Sequence, residues 1–348
     1  MTKSNPGNFF EDFAPGQEVV HATPRTLSEA DAALNIALTG SRYAMFSADS
    51  FAQTCGYPGA PIDPLLVFHT VFGKTVPDIS LNAVANLGYA EGRFFAPVFP
   101  GDTLNAVSEV IGLKANSNGK TGVVTVRTQG FNQVGELVLS YVRWVMVNKR
   151  DASAVTTDAP PVTPKPFVPA SELLAPPELD FSAYDFTLAG SPHAFEDYEI
   201  GEKIDHVDGM TVEEAEHQLA TRLYQNTAKV HFDALAQGGS RFGKRLIYGG
   251  VAISLARALA FNGLANAQLL LAINAGRHVN PLFAGDTLYA WSEVLDAADL
   301  GSVGALRLRL VALKNRSAAG FPYKDGANEY DPSVVLDFDY WAAIPKRG

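Results

Sequence analysis

The sequence predicts an α+β fold made of two copies of one unit, each an apolar helix wrapped by an antiparallel sheet. Three observations predict it. Two long blocks of the chain repeat one another, a proline-rich segment separates them, and each copy places an apolar helix ahead of alternating β segments. The length of 348 residues is sufficient for two such units, each with a core.

The repeat is visible in two pairs of aligned blocks. FFEDFAPGQEVVHATPRTLSEADAALNIAL, from Phe9, aligns with AFEDYEIGEKIDHVDGMTVEEAEHQLATRL, from Ala194. EGRFFAPVFPGDTLNAVSEV aligns with AGRHVNPLFAGDTLYAWSEV, where Gly101 matches Gly285 and the offset has fallen by one residue. We therefore assign an N-terminal repeat to residues 1–150, a linker to residues 151–190 and a C-terminal repeat to residues 191–348.

The linker is marked by its composition. The segment Ala159–Asp180 contains seven prolines. Proline favours extended backbone and cannot continue a helix or a central strand. We expect an extended spacer that covers distance without forming a core.

Each repeat begins with helical patterns. SEADAALNIALTG and EEAEHQLATRLYQ have apolar residues at helical spacing behind a Ser or Thr start, and DPLLVFHTVFG and GGVAISLARALAFNG predict a second, buried helix. Alternating, β-branched segments with turn residues between them follow and predict an antiparallel meander. These segments are TLNAVSEVIGL, TGVVTVRTQGF and ELVLSYVRWVMVN in the first repeat, and TLYAWSEVLDA, GALRLRLVALKN and VVLDFDYWAAIP in the second.

Composition excludes several classes of function. A formal net charge of −10 argues against a nucleic acid or an anionic membrane as partner. The start MTKSNPGNFFEDF does not resemble a signal peptide, and the chain has no run of about 18 apolar residues, so we expect a cytoplasmic protein. The single cysteine, Cys55, excludes an intrachain disulfide or a thiolate metal cluster.

The order of several motifs resembles a known family. FEDYEIGE, TVEEAEHQLA, QNTAKVHFD, LIYGGVAISL and NPLFAGDTL are similar to the MaoC-like (R)-specific enoyl-CoA hydratases in their double hot-dog arrangement. The block TGSRYAMFSADSFAQTCGYPGAPIDPLLVFHTVFGKTV and the proline spacer more narrowly resemble the mesaconyl-CoA hydratases, or β-methylmalyl-CoA dehydratases. The resemblance implies reversible syn addition of water to mesaconyl-CoA, an acyl-CoA substrate, with no metal and no organic cofactor.

The same resemblance points to one catalytic repeat. The family motif D-x-N-P-x-H, whose aspartate and histidine hold the reacting water, aligns with QNTAKVHFD. His231 takes the histidine position, Asn226 takes the aspartate position, and Ala-Lys replaces Asn-Pro. In the first repeat Ser41 and Phe46 stand at the two positions, so we expect that copy to be catalytically degenerate and to shape the acyl-CoA tunnel.

The chemistry of His231 can also be argued from its side chain. Hydration of an unsaturated thioester needs a base for water and an acid for the α-carbon, and an imidazole can serve as both in turn. Asn226 cannot ionise and can only orient the water or hold the imidazole. Whether His231 acts alone or with Asp233 or Asp63 stays open, and a hydrogen-bonded core histidine is the alternative.

The segment YGG, Tyr248–Gly250, opens the second apolar helix of the C-terminal repeat. The N–H groups of Gly249 and Gly250 at this positive helix end could bind the thioester oxygen, and tight packing at a turn is the alternative. The first repeat has Pro64 there, which has no N–H.

Three side chains are expected to line the pocket. His278 and Asn280 stand where the first repeat has Phe94 and Ala96, so polarity has been added in the C-terminal repeat. Tyr248 precedes the two glycines. The other histidines are expected to be structural: His21 and His206 as packing or capping residues present in both repeats, and His69 as a hydrogen-bonded core residue.

An acidic protein must collect positive charge locally to bind coenzyme A. SRFGKRL supplies Arg241, Lys244 and Arg245 for the phosphates, and a solvated basic loop is the alternative. The free carboxylate of mesaconyl-CoA needs an arginine or several N–H donors. The sequence does not decide among Arg42, Arg93 and Arg277.

The sequence is also compatible with two other classes of function. A hot-dog thioesterase would direct water at the carbonyl carbon, and a non-catalytic acyl-CoA-binding protein would leave His231 away from any tunnel. The fold alone does not separate these classes from a hydratase. A monomer and a homodimer are both compatible with a chain that already contains two hot-dog units.

Overall fold

The computed structural model describes residues 3–154, 158–160 and 163–347. Within these ranges ten strands form a single antiparallel sheet. The strands are β1 Glu18–Thr26, β2 Ala83–Phe94, β3 Thr103–Ala115, β4 Thr121–Phe131, β5 Leu137–Asn148, β6 Lys203–Thr211, β7 Leu269–His278, β8 Thr287–Asp299, β9 Gly304–Lys314 and β10 Val334–Ile344. Their order in the sheet is β1-β3-β4-β5-β2-β7-β10-β9-β8-β6, so each repeat supplies one half.

The helices lie in both repeats and in the connecting segment. They are α1 Glu29–Thr39, α2 Asp49–Thr54, α3 Pro64–Thr75, α4 Phe186–Ala189, α5 Glu214–Leu223, α6 Lys229–Phe232, α7 Ala234–Gly238, α8 Gly249–Leu259 and α9 Phe261–Leu264. Short 3-10 turns cover Phe10–Asp12, Ala44–Phe46, Ala170–Glu172 and Phe195–Asp197, and one π turn covers Val76–Ser80.

The two apolar helices are buried, as the sequence predicts. All residues of α3 are buried, and in α8 the residues from Gly250 onward are buried. The two helices differ at their first turn. Asp63 caps α3 by accepting a hydrogen bond from the N–H of Leu65 at 2.7 Å, whereas Tyr248, the residue before α8, makes no side-chain cap. Of these two helices, α8 is therefore the one whose first N–H groups have no side-chain acceptor.

The two repeats are joined through β2 and β7. Tyr89 pairs with Gly276, and Ala90 pairs with Ala275. A Cβ at Gly276 would overlap the ring of Tyr89, so glycine is required for this close approach. The sequence analysis did not identify either strand. Their pairing places α3 and α8 over one continuous surface and gives the repeats a shared core.

The linker contributes to the core, so the expectation of a spacer without one is wrong. Val168 and Leu179 are buried in a second apolar cluster on the face of the sheet opposite α3 and α8. The indole N–H of Trp341 in β10 donates to the carbonyl of Val168 at 2.9 Å. Proline does not prevent this, because side-chain burial does not require a ladder of backbone hydrogen bonds. Among the described residues, the linker's backbone pairs with a strand at the single bridge between Ala159 and Leu113. Pro161 lies outside the described residues, and the domain boundaries at 150 and 190 stay predictions.

A close backbone contact joins the end of α3 in the N-terminal repeat to the residue that follows α5 in the C-terminal repeat. Gly73, in the last turn of α3, lies directly against the carbonyl group of Tyr224, and a Cβ there would overlap the carbonyl oxygen. The next residue, Gln225, has a positive φ of 54°. A glycine inside a helix is unfavourable by itself, so its presence here reflects the close approach of the two backbones.

We predict that Gly73→Ala destabilises the protein and displaces the Tyr224–Gln225 backbone. The added methyl group meets a backbone carbonyl that cannot rotate away, and overpacking of this kind costs about 1–3 kcal/mol. The midpoint of thermal unfolding should fall.

Gly238→Ala is the matched control. Gly238 also lies in a helix, α7, and nothing lies within 4 Å of a Cβ built there. Since alanine favours helix over glycine, this variant should unfold at the same temperature or a higher one. Equal behaviour of the two variants would contradict the proposed contact.

Candidate active site

The segment that carries His231 is a turn followed by the short helix α6. Asn226 is 1% exposed, and its side-chain oxygen accepts a hydrogen bond from the N–H of Ala228 at 3.1 Å. Ala228 is the N-cap residue that immediately precedes α6. The side-chain amide of Gln218 donates to the carbonyl of His231 at 2.7 Å. Asn226 therefore fixes the turn that presents His231, and α5 fixes the end of that turn.

His231 is held in one tautomer. Its Nδ1 lies 3.0 Å from the carbonyl oxygen of Leu246 and must donate, because a carbonyl oxygen can only accept. Nε2 then carries the lone pair. Burial lowers the pKa of His231 to about 4, although the bond to Leu246 acts in the opposite direction. The imidazole is neutral near pH 7, and its Nε2 is available as a base.

His217 completes this side of the site, and the sequence analysis missed it. Its ring lies 6.3 Å from that of His231, and its Nε2 accepts a hydrogen bond from the backbone N–H of Tyr248 at 2.9 Å. The alignment of the two repeats could have identified His217, because the matching position in the first repeat is Ala32. The comparison that singled out His278 therefore also marks His217 as polarity added in the C-terminal repeat.

The start of α8 lies against these side chains. The ring of Tyr248 is 5.4 Å from that of His231. In the described part of the chain, the N–H groups of Gly249 and Gly250 meet no protein acceptor. A Cβ at Gly249 would overlap the imidazole of His278, and a Cβ at Gly250 would overlap His69 and Tyr248. Tight packing and free N–H groups thus occur at the same two glycines.

The N-terminal repeat supplies a partner to His278. The hydroxyl of Tyr89 in β2 and Nε2 of His278 form a hydrogen bond of 2.8 Å. Burial lowers the pKa of His278 to about 4, and the nearby His231 lowers it further. His278 lies against Gly249, its place in the pocket stays a prediction, and Tyr89 was not predicted to take part.

His69 differs from its expected role as a fully hydrogen-bonded core residue. Its Nε2 is bonded to the hydroxyl of Ser254 at 2.9 Å, but within the described residues its buried Nδ1 has no partner. Its ring lies 4.7 Å from Tyr224 and 5.7 Å from Tyr248. The correction follows from the packing of α3 against α8, which brings His69 beside the site.

The remaining paired histidines are structural, in line with the sequence analysis. Nδ1 of His206 donates to the carbonyl of Asn262 at 2.7 Å, and its Nε2 bonds to the hydroxyl of Ser292 at 2.8 Å. His21 bonds to Asp78 at 2.7 Å and to Ser108 at 2.8 Å. Both rings have partners at each nitrogen.

The two carboxylates considered as assistants to His231 act as helix caps. Asp63 caps α3, and Asp233 accepts from the N–H of Ala236 at 3.0 Å at the start of α7. Burial raises the pKa of Asp63 to about 6, and the N–H of Leu65 acts in the opposite direction. Asn280 is also engaged, since its amide donates to the carbonyl of Val334 at 2.8 Å.

The predicted basic segment divides into two parts. Arg245 forms an ion pair with Glu214 of α5 and donates to the carbonyl of Phe232 at 3.4 Å, so it braces α6. Arg241 and Lys244 are exposed, and the Lys244 ammonium lies 4.1 Å from the centre of the Phe283 ring. These two remain candidates for the phosphates of coenzyme A.

Comparison with known proteins shows the family of the chain. The family model described as mesaconyl-CoA hydratase matches residues 1–323. The chain belongs to the mesaconyl-CoA hydratase family. It is 61% identical to a mesaconyl-CoA hydratase of Cereibacter sphaeroides over 99% of this chain and 100% of that one. It is also 58% identical to a β-methylmalyl-CoA dehydratase of Chloroflexus aurantiacus over 99% of both chains.

Solved structures of relatives confirm the predicted fold class. A crystal structure described as a MaoC domain protein dehydratase from Chloroflexus aurantiacus superposes with a TM-score of 0.97 at 58% identity, over 100% of both chains. A Mycobacterium tuberculosis protein described as a double hotdog fold superposes with a TM-score of 0.75 at 29% identity, over 97% of this chain and 98% of that one. The MaoC-like resemblance and the double hot-dog architecture are therefore confirmed. Across the described ranges, no helix combines the length and the apolar character needed to cross a bilayer.

We predict that acid destabilises this member of the family through its buried histidines. Burial lowers the pKa of His69 and His217 to about 3, and that of His206, His231 and His278 to about 4. In the unfolded chain a histidine has a pKa of about 6.5. Below that pH the unfolded state binds protons that the folded state does not, so the free energy of unfolding falls as the pH falls towards about 4.

Asp63 works in the opposite direction, because its folded pKa of about 6 lies above its unfolded value, but it is one group against five. Thermal unfolding midpoints measured at about pH 7.5 and about pH 5.5 test the balance. The midpoint should be lower at the acidic pH, and His278→Gln should weaken the dependence. A midpoint that is constant or rises on acidification would show that these histidines are not held neutral.

Proposed function

We propose that this chain is a hydro-lyase that reversibly adds water to mesaconyl-CoA to give β-methylmalyl-CoA, with His231 as general acid and base. The observation that carries the catalytic assignment is the tautomer of His231. Its Nδ1 is committed to a backbone carbonyl, so the lone pair of the neutral ring is on Nε2, and the ring lies 5.4 Å from that of Tyr248, the residue before α8. Membership of the family supports the reaction, and this geometry supports the residue.

In the first step Nε2 of His231 takes a proton from water while the oxygen adds to the β-carbon of the enoyl thioester. One O–H bond breaks and one C–O bond forms. The electron pair of the double bond moves to the thioester oxygen as an enolate. The N–H groups of Gly249 and Gly250, at the positive end of α8, would stabilise this charge.

In the second step the imidazolium of His231 returns the proton to the α-carbon, and the enolate collapses to the thioester. Because one imidazole handles both the water and the returned proton, both additions occur on the same face of the double bond. This gives syn addition without a second ionisable group. It also agrees with Asp63 and Asp233 being occupied as helix caps.

Asn226 positions His231 in this proposal. Its side-chain oxygen accepts from the N–H of Ala228 and keeps a second lone pair, so both this oxygen and the side-chain nitrogen can bond to the reacting water. An aspartate at this position could accept the same backbone hydrogen bond. The replacement of the family's aspartate by asparagine therefore keeps the turn and removes the ionisable group.

The coenzyme A part of the substrate would bind to the exposed basic side chains of the loop before α8. Arg241 and Lys244 would meet the phosphates of coenzyme A, and Arg245 would hold the loop through Glu214. Tyr248 and His278 would line the acyl pocket, and Asn280 would support its wall through Val334. A cytoplasmic location and a homodimer remain predictions from the sequence.

We predict that His231→Ala lowers the turnover of mesaconyl-CoA by at least about two orders of magnitude, the usual range for a positioned acid or base. His193→Ala is the matched control, because His193 is an exposed histidine of the same repeat. Turnover is followed as loss of enoyl absorbance together with an assay for free thiol. Near-normal turnover of a folded His231→Ala would overturn the assignment, and release of thiol by the wild-type protein would indicate a thioesterase.

We predict that Asn226→Ala is seriously impaired and that Asn226→Asp keeps measurable activity. Alanine cannot accept from the N–H of Ala228, so the turn before His231 loosens. Aspartate accepts the same bond and adds a carboxylate, which raises the pKa of the neighbouring imidazole and moves the acidic limb of the pH profile upward. The pH dependence of kcat/KM for the two variants measures both effects. Full activity of Asn226→Ala would show that another group holds His231.

A further inference from the structure

Arg143 is a buried arginine without an acidic partner. Its side chain is 0% exposed. Its one hydrogen bond within the described residues runs from Nη2 to the hydroxyl of Thr75 at 2.7 Å, while Nε and Nη1 are buried without a partner. The guanidinium lies 4.3 Å from the centre of the Phe72 ring. A permanent charge removed from water is strongly unfavourable unless an anion or several acceptors compensate it.

The other buried arginine provides a comparison. Arg257 in α8 also stacks on an aromatic ring, that of Tyr43 at 3.8 Å. Its guanidinium, however, donates to the backbone carbonyls of Ala267 and Gln268, which neutralise part of its charge. Arg143 has no such carbonyl among the described residues. Stacking, burial and an unpartnered Nε and Nη1 are common to both, so what sets Arg143 apart in the described part of the chain is that its Nη2 meets one hydroxyl and no carbonyl.

The position of Arg143 connects it to the proposed site. Arg143 in β5 pairs directly with Tyr89 in β2, and the hydroxyl of Tyr89 bonds to His278 beside Gly249. On its other side Phe72, which stacks on the guanidinium, lies 5.8 Å from the ring of Tyr248. One aromatic side chain therefore separates Arg143 from Tyr248, which precedes α8, and from His278, which ends β7 beside Gly249.

The rings of Tyr141 and Tyr248 lie 6.4 Å and 5.8 Å from that of Phe72, the ring that stacks on the Arg143 guanidinium. The hydroxyls of Tyr141 and Tyr248 are buried and have no partner within the described residues. Tyr141 precedes Arg143 by two positions in β5, so both side chains point to the same face of the sheet. Burial raises the pKa of both tyrosines, which keeps each phenol protonated and able to donate. Donors without acceptors at one buried point are typical of a site for an anion.

We propose that Arg143, with the hydroxyls of Tyr141 and Tyr248, binds the carboxylate at the far end of the acyl group. This inference rests on the proposed function insofar as the substrate is an acyl-CoA that enters at α8. A planar guanidinium binds a carboxylate in a bidentate arrangement through Nη2 together with Nε or Nη1. Among the described residues, Nε and Nη1 of Arg143 are unpartnered, while Nη2 keeps a second N–H beside its bond to Thr75. The enzyme is thereby selective for CoA monothioesters of dicarboxylic acids over simple enoyl thioesters.

This assignment replaces the three arginines considered from the sequence. Arg93 forms an ion pair with Glu172, Arg42 lies 4.4 Å from the Phe261 ring centre, and Arg277 is exposed. In the alignment of YVRW with FDYW, Arg143 stands against Tyr340 of the C-terminal repeat. The N-terminal repeat, which lacks the reacting histidine, thus supplies the residue that selects the substrate.

The test compares two unreactive ligands that differ by one carboxylate, succinyl-CoA and butyryl-CoA, by titration calorimetry. The wild-type protein should bind succinyl-CoA at least about tenfold more tightly, and Arg143→Met should abolish this preference while its affinity for butyryl-CoA stays within about threefold. With substrates, Arg143→Met should lower kcat/KM for mesaconyl-CoA by about 100-fold or more and leave that for crotonyl-CoA unchanged or raised. A preference for succinyl-CoA that survives in Arg143→Met, or is absent from the wild type, would overturn the proposal.

Arg257→Met is the matched control, because it removes a second buried, ring-stacked guanidinium and should leave the preference intact. If Arg143→Met does not fold, Arg143→Lys carries the test. Lysine keeps the charge and loses the bidentate geometry, so the preference should shrink, and an unchanged ratio would contradict the inference. Failure of the wild type to hydrate mesaconyl-CoA would refute the proposed function, while the binding comparison would still report on Arg143.

Discussion

The pairing of β2 with β7 is the constraint on which the rest of the structure depends. It turns two five-stranded units into one ten-stranded sheet and sets α3 and α8 side by side on the same surface. Because of it, Tyr89 of one repeat reaches His278 of the other. A site built on the C-terminal repeat alone would lack this hydroxyl, as well as the imidazole of His69.

Desolvation then gives the site its chemical character. Several imidazoles lie close together, and each would repel its neighbours if charged. Burial keeps them neutral, so each nitrogen is assigned by its hydrogen bond: Nδ1 of His231 to a carbonyl, and Nε2 of His217 to a backbone N–H. A neutral cluster of this kind can accept a proton at one defined atom. In the proposed mechanism this removes the need for a carboxylate beside His231.

Much of the candidate site could be proposed from the sequence because the chain contains two copies of one unit that can be compared. Comparing the copies isolated His231, Asn226 and the two glycines, and it would also have isolated His217 against Ala32. The contributions of Tyr89 and His69 could not be found in this way, because they depend on which strands meet between repeats. The buried linker was misjudged for a related reason, since proline content reports local backbone preference and not the apolar surface on which a segment lies.

The linker gives the fused chain a property that two half-length proteins would lack. Alternate residues of β7 face opposite sides of the sheet: Leu270 packs toward the helices, and Leu271 packs toward Val168 and its neighbours. Two separate half-length proteins without the linker could assemble the same sheet, but this outer apolar surface would be exposed to solvent and prone to aggregation. The connecting peptide therefore does more than join the two repeats, because it covers the apolar face of the sheet opposite α3 and α8 and makes separation into free halves unfavourable.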